Sequence, residues 1–404
     1  MRFPIWANTS TVMSSAATNY NAVTVQNSGV PWVTTIDETV TCIIPFRCSI
    51  SQFSVELTTT TPGTGKSFAF TLMKNGVATS VTVTISDANL TASDSTHNVV
   101  FEAGDTICIR SVPSGTPGAP ANIRWSFLVD TLGRPEYFYF KTYGAPNATS
   151  RYYSSIQHSG RGYTSAASFV QNFSYFAQNA KVTEMYIGVR TAPGAGKSIV
   201  FSLYKNSAEE ASSQVTISGT NKIGSITGLS ISLSQGDNLQ ISSLPSGTPT
   251  VDHVQTTVVI RPSTDGEFST TSVSMNLGNT GTQWNRPFMT VSNTSTAADD
   301  TNTKEISPPN FTYSIKGFYV VSAVAPGAGT GYVLTLRKNG ADTAITCTLS
   351  DANKTVSDTT HLVYAESNDK FSIKSTLSGA PTNTSGCIFY IKIFIPPVLM
   401  QGNQ

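Results

Sequence analysis

The chain has 404 residues, a formal net charge of +1 and only 12% charged residues. Without a basic excess, the composition argues against nucleic acid as the main partner, and without an acidic run it predicts no solubilising tail. The 30 Gly and 20 Pro are spread along the chain, as in proteins with many short strands. No long segment has a helical period, so the sequence predicts an all-β protein.

The N-terminus combines a few apolar residues with a helix- and strand-breaking proline. Pro4 interrupts what would otherwise be the apolar core of a signal peptide, and no segment approaches the ~20 apolar residues needed to span a bilayer. We therefore expect synthesis in the cytoplasm and no membrane partner. Phe3, Ile5 and Trp6 remain at this end as apolar residues that a stable monomer has little reason to expose. They are our candidates for an assembly interface with another protein copy.

A run of fifteen residues is written three times. It reads PGTGKSFAFTLMKNG from Pro62, PGAGKSIVFSLYKNS from Pro193 and PGAGTGYVLTLRKNG from Pro326. The turn aspartates Asp105, Asp237 and Asp369 then recur at intervals of 132 residues. This period is that of a whole domain, whereas solenoid repeats span roughly 20–50 residues. We predict repeat 1 at residues 1–132, repeat 2 at 133–264, repeat 3 at 265–397 and a tail at 398–404.

Each repeat alternates apolar and polar residues as a strand with one buried face does. In the first copy Phe68, Phe70 and Leu72 alternate with small polar residues, and Asn75-Gly76 follows as a strong hairpin signal. About eight strands in ~130 residues suit a jelly roll, in which two antiparallel sheets share one core. The predicted fold is therefore all-β, with three tandem jelly-roll-like antiparallel β-sandwich domains.

The GTGKS and GAGKS runs resemble the end of a phosphate-binding loop. That motif needs an earlier glycine where Thr60 and Thr191 stand, and it must open a helix, whereas a β-run follows here. The third copy replaces Lys-Ser by Thr330-Gly331. We therefore expect Lys66 and Lys197 not to bind phosphate, and we expect no cofactor.

The residues that could carry chemistry are few and scattered. His97 and His361 are equivalent, and we interpret them as structural residues with Asp94 and Asp358 as hydrogen-bond partners. The repeated aspartates are expected to be turn residues, and Lys74, Lys205 and Lys338 to solvate strand ends. The spacing of the five cysteines predicts no metal site, and Cys347 is expected in a core. A disulfide between Cys42 and Cys48 is left open. With no acid–base pair or nucleophile motif, we expect no enzyme.

Aromatic residues cluster at the opening of the second repeat. The candidates for a subunit interface, or for a platform that stacks on sugar rings, are Tyr152, Tyr153, Tyr163 and Tyr175. Tyr and Phe are enriched at protein interfaces, and we favour an interface or a core position over the sugar platform. The openings of the three repeats share little sequence, so we expect them, and not the repeated cores, to make the intermolecular contacts.

The tandem units, with their PG-x-GKS and KNG runs, Gly-Asp turns and PSGTP loops, resemble a repeat of virion proteins. These are the jelly-roll-like proteins of tailed phages and other double-stranded DNA viruses, and the resemblance covers residues 49–130, 181–260 and 314–395. It implies a capsid-associated role, as a decoration protein, minor capsid protein or head fibre, located in the virion. Its partners would be other capsid proteins or copies of itself. Three fused jelly rolls would also mimic a trimer in one chain.

A different function class remains open beside the virion role. A host-attachment or carbohydrate-binding module would use a β-sandwich to present loops or a sheet face, and host surface glycans would then be the partner. The tyrosines of the second repeat would supply its platform.

Overall fold

A computed structural model describes residues 1–24, 26–27, 31–157, 164–165, 172–277, 281–288, 291–292, 305–308, 310–382 and 384–396. The predicted all-β fold is confirmed: strands dominate, and the described residues include a short 3-10 turn, Ala211–Ser213. The strands before the first linker are β1 (Arg2–Thr9), β2 (Asn19–Asn21), β3 (Gln26–Asn27), β4 (Cys42–Ile43), β5 (Cys48–Leu57), β6 (Gly63–Lys74), β7 (Val77–Asp87), β8 (Thr91–Phe101), β9 (Thr106–Ser114) and β10 (Ile123–Asp130).

The second and third groups of strands repeat this order. The second group comprises β11 (Tyr137–Tyr143), β12 (Tyr152–Ser154), β13 (Ser174–Tyr175), β14 (Ala180–Val189), β15 (Gly194–Lys205), β16 (Ala208–Glu209), β17 (Val215–Gly219), β18 (Ile223–Leu233), β19 (Asn238–Ser246) and β20 (Val254–Pro262). The third comprises β21 (Glu267–Leu277), β22 (Gln283–Asn285), β23 (Val291–Ser292), β24 (Glu305–Ile306), β25 (Tyr313–Ser322), β26 (Gly327–Lys338), β27 (Ala341–Asp351), β28 (Thr355–Asp358), β29 (Val363–Ala365), β30 (Lys370–Ser378) and β31 (Thr384–Phe394).

Each group forms two sheets with jelly-roll connectivity. One sheet, called the inner sheet, has the order β1-β10-β5-β8, repeated as β11-β20-β14-β18 and β21-β31-β25-β28. The outer sheet has the order β2-β9-β6-β7, repeated as β12-β19-β15-β16 and β22-β30-β26-β27. Pairing is antiparallel apart from two short parallel contacts, β1 with β3 and β21 with β23. The three groups are therefore called domains 1, 2 and 3.

Burial separates the two kinds of sheet. In the outer sheet β7 alternates, with Val81, Val83 and Ile85 buried and the residues between them exposed, as the sequence predicts for a strand with one solvent face. In the inner sheet every residue of β10 from Ile123 to Val129 is buried. A strand buried on both faces has apolar layers on both sides, so the inner sheets pack against neighbouring domains as well as their own outer sheets.

The first strand lies in an inner sheet although its sequence gives no alternation. β1 pairs with β10 along its whole length, from Arg2 opposite Asp130 to Thr9 opposite Ile123. On its other side β1 meets β3 only at Asn8 and Thr9. Pro4 therefore stands on the unpaired edge, where a residue without an N–H group costs no ladder hydrogen bond.

The repeated Pro-Gly-x-Gly run forms a bulge at the start of a strand. Gly63 pairs with Asp87 and Ser67 with Ser86, so the intervening residues bulge out of the β6–β7 ladder. The Gly65 N–H donates to the Asp87 carboxylate at 2.7 Å. Gly115, at φ +72°, packs on this bulge so closely that a Cβ would lie 3.1 Å from the Gly65 carbonyl oxygen. The close approach requires glycine at Gly115, whereas at Gly65 the positive φ of +72° does so.

The KNG and Gly-Asp turns are joined by a clamp that the sequence analysis did not predict. In domain 1 the Asn75 side-chain amide donates to Asp105 at 2.6 Å, and Lys74 Nζ lies 3.0 Å from the same carboxylate and donates to the Val100 carbonyl. The matching contacts elsewhere are Asn206–Asp237, Asn339–Asp369, Lys205 to Ser232 and Lys338 to Tyr364. The lysines thus bind backbone carbonyls of the adjoining strand, which corrects the expectation that they only solvate strand ends.

Candidate functional site: the seams between the three domains

The three domains contact one another in a closed ring. β4 of domain 1 lies against β11 and β20 of domain 2, β13 of domain 2 against β21 of domain 3, and β24 of domain 3 against β1 and β10 of domain 1. The short strands β4, β13 and β24 are equivalent, because each pairs with the start of the matching strand β9, β19 or β30. The domains are therefore related by an approximate threefold axis. We call the contacts seam 1/2, seam 2/3 and seam 3/1.

Aromatic rings from all three domains meet where the inner sheets converge. Trp6 stacks on Phe288 with ring centroids 4.4 Å apart, and Phe3 stacks on Phe268 at 5.7 Å. Tyr137 of domain 2 meets Phe268 edge-on at 4.8 Å. All of these side chains are buried, and each aromatic ring removes a large apolar area from water. The three domains therefore share one continuous core.

This core corrects the assignment of the N-terminal apolar residues to an interface between copies. Phe3, Ile5 and Trp6 are each 0% exposed within the single chain. The rings of Phe3 and Trp6 pack on aromatic residues of domains 2 and 3 of the same molecule. No exposed surface of the three residues is left for a second copy. The opening of the first repeat makes these contacts within one molecule, whereas contacts between copies were expected of it.

Polar contacts hold seams 1/2 and 2/3 in register. The Thr257 hydroxyl donates to the Ile43 carbonyl at 2.7 Å across seam 1/2, and the Thr271 hydroxyl to the Tyr175 carbonyl at 2.8 Å across seam 2/3. Ile43 and Tyr175 are equivalent residues of β4 and β13. Equivalent backbone carbonyls therefore accept hydrogen bonds at both seams, although the donors lie on non-equivalent strands, β20 and β21.

Seam 3/1 contains a cluster of buried charges. Glu56 of β5 pairs with Arg124 of its own sheet at 3.2 Å and with Lys370 of domain 3 at 2.5 Å. Arg286 of domain 3 donates to the Asn8 side chain of domain 1. Glu56 and Arg124 are buried, so the pair is satisfied by partners and not by water. No covalent linker joins domains 3 and 1 at this seam; the linkers join domain 1 to 2 and domain 2 to 3.

The tyrosines singled out from the sequence occupy different places. Tyr152 and Tyr153 lie on β12 in the outer sheet of domain 2 and are partly buried, and the Tyr153 ring packs edge-on against Tyr204 at 5.0 Å. Tyr175 belongs to seam 2/3, where it stacks on Tyr390 of domain 3 at 5.3 Å. Tyr163 lies outside the described residues. The structure therefore does not bring the three described tyrosines, Tyr152, Tyr153 and Tyr175, together into one platform.

The phosphate-loop alternative is excluded by local geometry. β6 and β15 run through Lys66 and Lys197 as strands, so no helix N-terminus follows the glycines. A phosphate cradle needs several backbone N–H groups converging at a helix start. The expectation that a β-run follows the glycines is confirmed.

The equivalent histidines have the partners predicted from the sequence. His97 Nδ1 lies 3.0 Å from Asp94, and His361 Nδ1 lies 2.8 Å from Asp358. Burial alone would raise the pKa of Asp358, but hydrogen bonds from Thr346, Thr360 and His361 outweigh it and lower that pKa to about 2. Each aspartate carboxylate therefore accepts hydrogen bonds from backbone N–H groups of its turn, and the histidine ring contacts the same carboxylate. Within the described part of the chain, no group of three or more His, Cys, Asp or Glu side chains could hold a metal ion.

The cysteines are buried and unbridged. All five carry free thiols, so the Cys42–Cys48 disulfide that the sequence left open does not form. Burial raises the pKa of the Cys42 and Cys347 thiols to about 12. A thiol with so high a pKa is a poor nucleophile at neutral pH.

A buried lysine is the titratable group that sequence reasoning missed. Lys141 of β11 is 2% exposed, and its Nζ donates to the Ser154 hydroxyl and, at 2.8 Å, to the Ser155 carbonyl. Burial lowers its pKa from 10.5 to about 7. The YFYFKTY run around Lys141 predicts this burial, because a lysine within a strand otherwise buried on both faces has little access to water.

A cavity of about 290 Å³ lies where the domain ends meet. Its lining includes Met1, the first linker at Gly133 and Arg134, Gly266 of the second linker and Pro396. The N-terminal ammonium donates to Thr131 and to the Arg134 carbonyl beside it, both at 2.6 Å. This end of the molecule therefore carries both interdomain linkers.

Comparisons with known proteins give no family for the chain. No family model matches it, and no curated protein matches it. Solved structures with a partial likeness include "The Triple Jelly Roll Fold and Turret Assembly in an Archaeal Virus", at 11% identity and TM-score 0.17, covering 88% of this chain and 82% of that one.

Two further solved structures are similar over parts of the chain. The N-terminal CBM22-1-CBM22-2 tandem domain from Paenibacillus barcinonensis Xyn10C is 14% identical with a TM-score of 0.17, over 55% of this chain and 79% of that one. PNGF-II is 7% identical with a TM-score of 0.20, over 65% of each chain. At such TM-scores these likenesses establish no function. Among the described residues, no helix is long and apolar enough to cross a membrane.

Proposed function

We propose that this protein is a structural component of a virion, in which one chain supplies three jelly rolls around an approximate threefold axis. The observation that carries the proposal is the closed ring, in which β4, β13 and β24 each pack against the next domain. Oligomers close around axes of low order, and a fused trimer would fit a threefold position in a capsid lattice or the base of a fibre.

The surface chemistry supports the same role. The chain has a formal net charge of +1 and 12% charged residues, so neighbouring copies would repel each other little. The described strands form three antiparallel sandwiches that pack on one another through their seams, an arrangement that suits a scaffold. Its partners would be other capsid proteins or further copies of the chain.

The proposal predicts that the protein co-purifies with virus particles. Virions would be purified on a density gradient from cultures that carry the gene, and the chain would be quantified by mass spectrometry and located by immunogold electron microscopy. We expect it to co-sediment with particles at a fixed copy number and to label their surface. Recovery only in the particle-free fractions would overturn the proposal.

The attachment alternative rests on one observation. Tyr152 and Tyr153 remain partly exposed on the outer sheet of domain 2, where a sugar could reach them. A glycan array probed with the protein and with the Tyr152→Ala/Tyr153→Ala variant separates the two functions. Glycan binding that the variant loses would favour the attachment function. An array without specific signals would argue against attachment and leave the virion structural role as the proposal.

A further inference from the structure

A second cavity lies at seam 3/1, beside the ion pair of Glu56 and Lys370. It has a volume of about 300 Å³ and is lined by Ser54, Thr91, Ala92, Ser93, Asn368 and Lys370. The first four residues come from β5 and β8 of domain 1, and the last two from the turn before β30 and its first residue in domain 3. Ligand pockets occur preferentially at such domain interfaces, and this volume is at the low end of their range.

The cavity exists because one of three equivalent positions is small. Ser54 pairs with Ser126 in the inner sheet of domain 1, and the matching pairs are Tyr186 with Thr257 in domain 2 and Tyr319 with Tyr390 in domain 3. At seam 2/3 the Tyr319 ring stacks on Tyr390 at 4.8 Å. A serine where the other two domains have tyrosines leaves open the space that a ring would take. Seam 3/1 therefore differs from the other two seams at this position.

The groups around the cavity are polar and carry a net positive charge. The Ser54 hydroxyl donates to the Asn368 side-chain carbonyl at 3.3 Å, and Thr91 and Ser93 expose their hydroxyls on the edge strand β8. Lys370 reaches Glu56 at 2.5 Å, and Glu56 also binds Arg124, so two cations share one carboxylate.

The remaining charges near the cavity are already paired. Asp369, next to Lys370 in the chain, lies 2.7 Å from Lys338, and Asp94, next to Ser93, binds His97. Asp369 is neutralised by Lys338, and Asp94 lies on the face of β8 opposite Ser93, where it accepts the Thr82 N–H of the outer sheet. The charges at the cavity itself are therefore those of the Glu56, Arg124 and Lys370 cluster. The local balance therefore favours an anionic ligand.

We propose that this cavity binds a small carboxylate-bearing polyol of monosaccharide size. Lys370 would pair with the ligand carboxylate, using the donors that Glu56 does not take, while Ser54, Ser93 and the Asn368 amide would hydrogen-bond its hydroxyl groups. The site does not depend on the virion role proposed above, because it is built by the seam alone.

Isothermal titration calorimetry tests the proposal with N-acetylneuraminic acid, glucuronic acid and glucose as probes. We expect at least one acid to bind in the millimolar range and glucose to bind about tenfold more weakly or not at all. Lys370→Gln should weaken binding of the acid about tenfold, and raised salt should weaken it as well. Lys66→Gln, which removes the same charge far from the seam, is the matched control and should change nothing.

Ser54→Tyr gives the decisive variant. Because domains 2 and 3 carry tyrosine at this position, the variant is expected to keep the native melting temperature, and it should abolish binding by filling the cavity. The proposal would be overturned if neither acid bound at ~20 mM, or if glucose bound as tightly as the acids. It would also be overturned if a folded Ser54→Tyr protein bound the acid as the native protein does.

Discussion

Trp6 of the first strand stacks on Phe288 of the third domain, with ring centroids 4.4 Å apart. The two residues lie at opposite ends of the chain's three-domain order, and their contact helps to close the ring at seam 3/1. A chain of three domains held only by two linkers would have a free end here. The side chains of β1 therefore contribute to the stability of all three domains at once.

Replacing Trp6 by alanine tests this role. Trp6 is 0% exposed, so Trp6→Ala should lower the free energy of unfolding by about 3–5 kcal/mol through lost burial and the cavity it leaves. Urea unfolding followed by circular dichroism measures the change. Val12→Ala, at a side chain that is 63% exposed, is the control and should cost less than about 0.5 kcal/mol. Equal effects of the two substitutions would contradict the shared core.

The turn at Asp358 should make the protein sensitive to acid. Its pKa is lowered from 3.8 to about 2, so the contribution is present above pH 4 and is lost as the pH falls from about 4 to 2. The shift corresponds to about 2 kcal/mol. Asp358→Asn should remove this part of the pH dependence, as followed by urea unfolding at several pH values. Asp265→Asn, at an exposed residue, should leave the pH dependence of the unfolding free energy unchanged. If both variants showed the same pH dependence, Asp358 would not be its source.

Lys141 should make stability rise with pH in the alkaline range. Its folded pKa of about 7 lies below the 10.5 of an exposed lysine, so between these values the unfolded chain binds the extra proton. The free energy of unfolding should increase by up to about 1.4 kcal/mol per pH unit from this group. Lys141→Met should flatten that rise relative to the native protein, whereas the exposed Lys181→Met should not. Unfolding curves between pH 7 and 10 that are unaffected by Lys141→Met would contradict the buried amine.

The clamp of domain 3 should be stronger than that of domain 2. Asp369 accepts hydrogen bonds from Asn339 and the Glu366 N–H and also pairs with Lys338. Asp237 keeps the two matching hydrogen bonds, to Asn206 and the Ser234 N–H.

Asp369→Ala should therefore cost about 2 kcal/mol, and Asp237→Ala about 1 kcal/mol less, in the free energy of unfolding. Thermal unfolding of both variants, with Asp265→Ala as an exposed control, measures the difference. A larger loss from Asp237→Ala would show that the lysine pair adds nothing to the clamp.

The strands of the outer sheets were predictable because one face of each meets water. Val81, Val83 and Ile85 alternate with threonine and serine, and the structure buries the first set and exposes the second. Local alternation is sufficient there, since each strand has one core and one solvent face. The hydrogen bonds of His97 and His361 were predictable for a similar reason, because Asp94 and Asp358 lie only three residues away in the chain.

The inner sheets and seams were not predictable in this way. β1 has no alternation because both of its faces are buried, so Phe3 and Trp6 looked like exposed residues at a free end. Which surfaces cover them depends on Phe268 and Phe288, which are more than 260 residues away in sequence and close only after the ring forms. The same holds for the cavity beside Ser54, whose lining comes from domains 1 and 3.

By itself, the sequence determined three copies of one all-β unit and the turns that shape each copy, because alternation, Asn-Gly turns and glycine bulges act over a few residues. Only the tertiary structure decided that the units close into a ring, that β1 is an interdomain core strand, and that Lys141 and Glu56 are buried. Those outcomes depend on burial between segments far apart in the chain, and burial of a face by a distant domain leaves no local pattern in the residues that it covers.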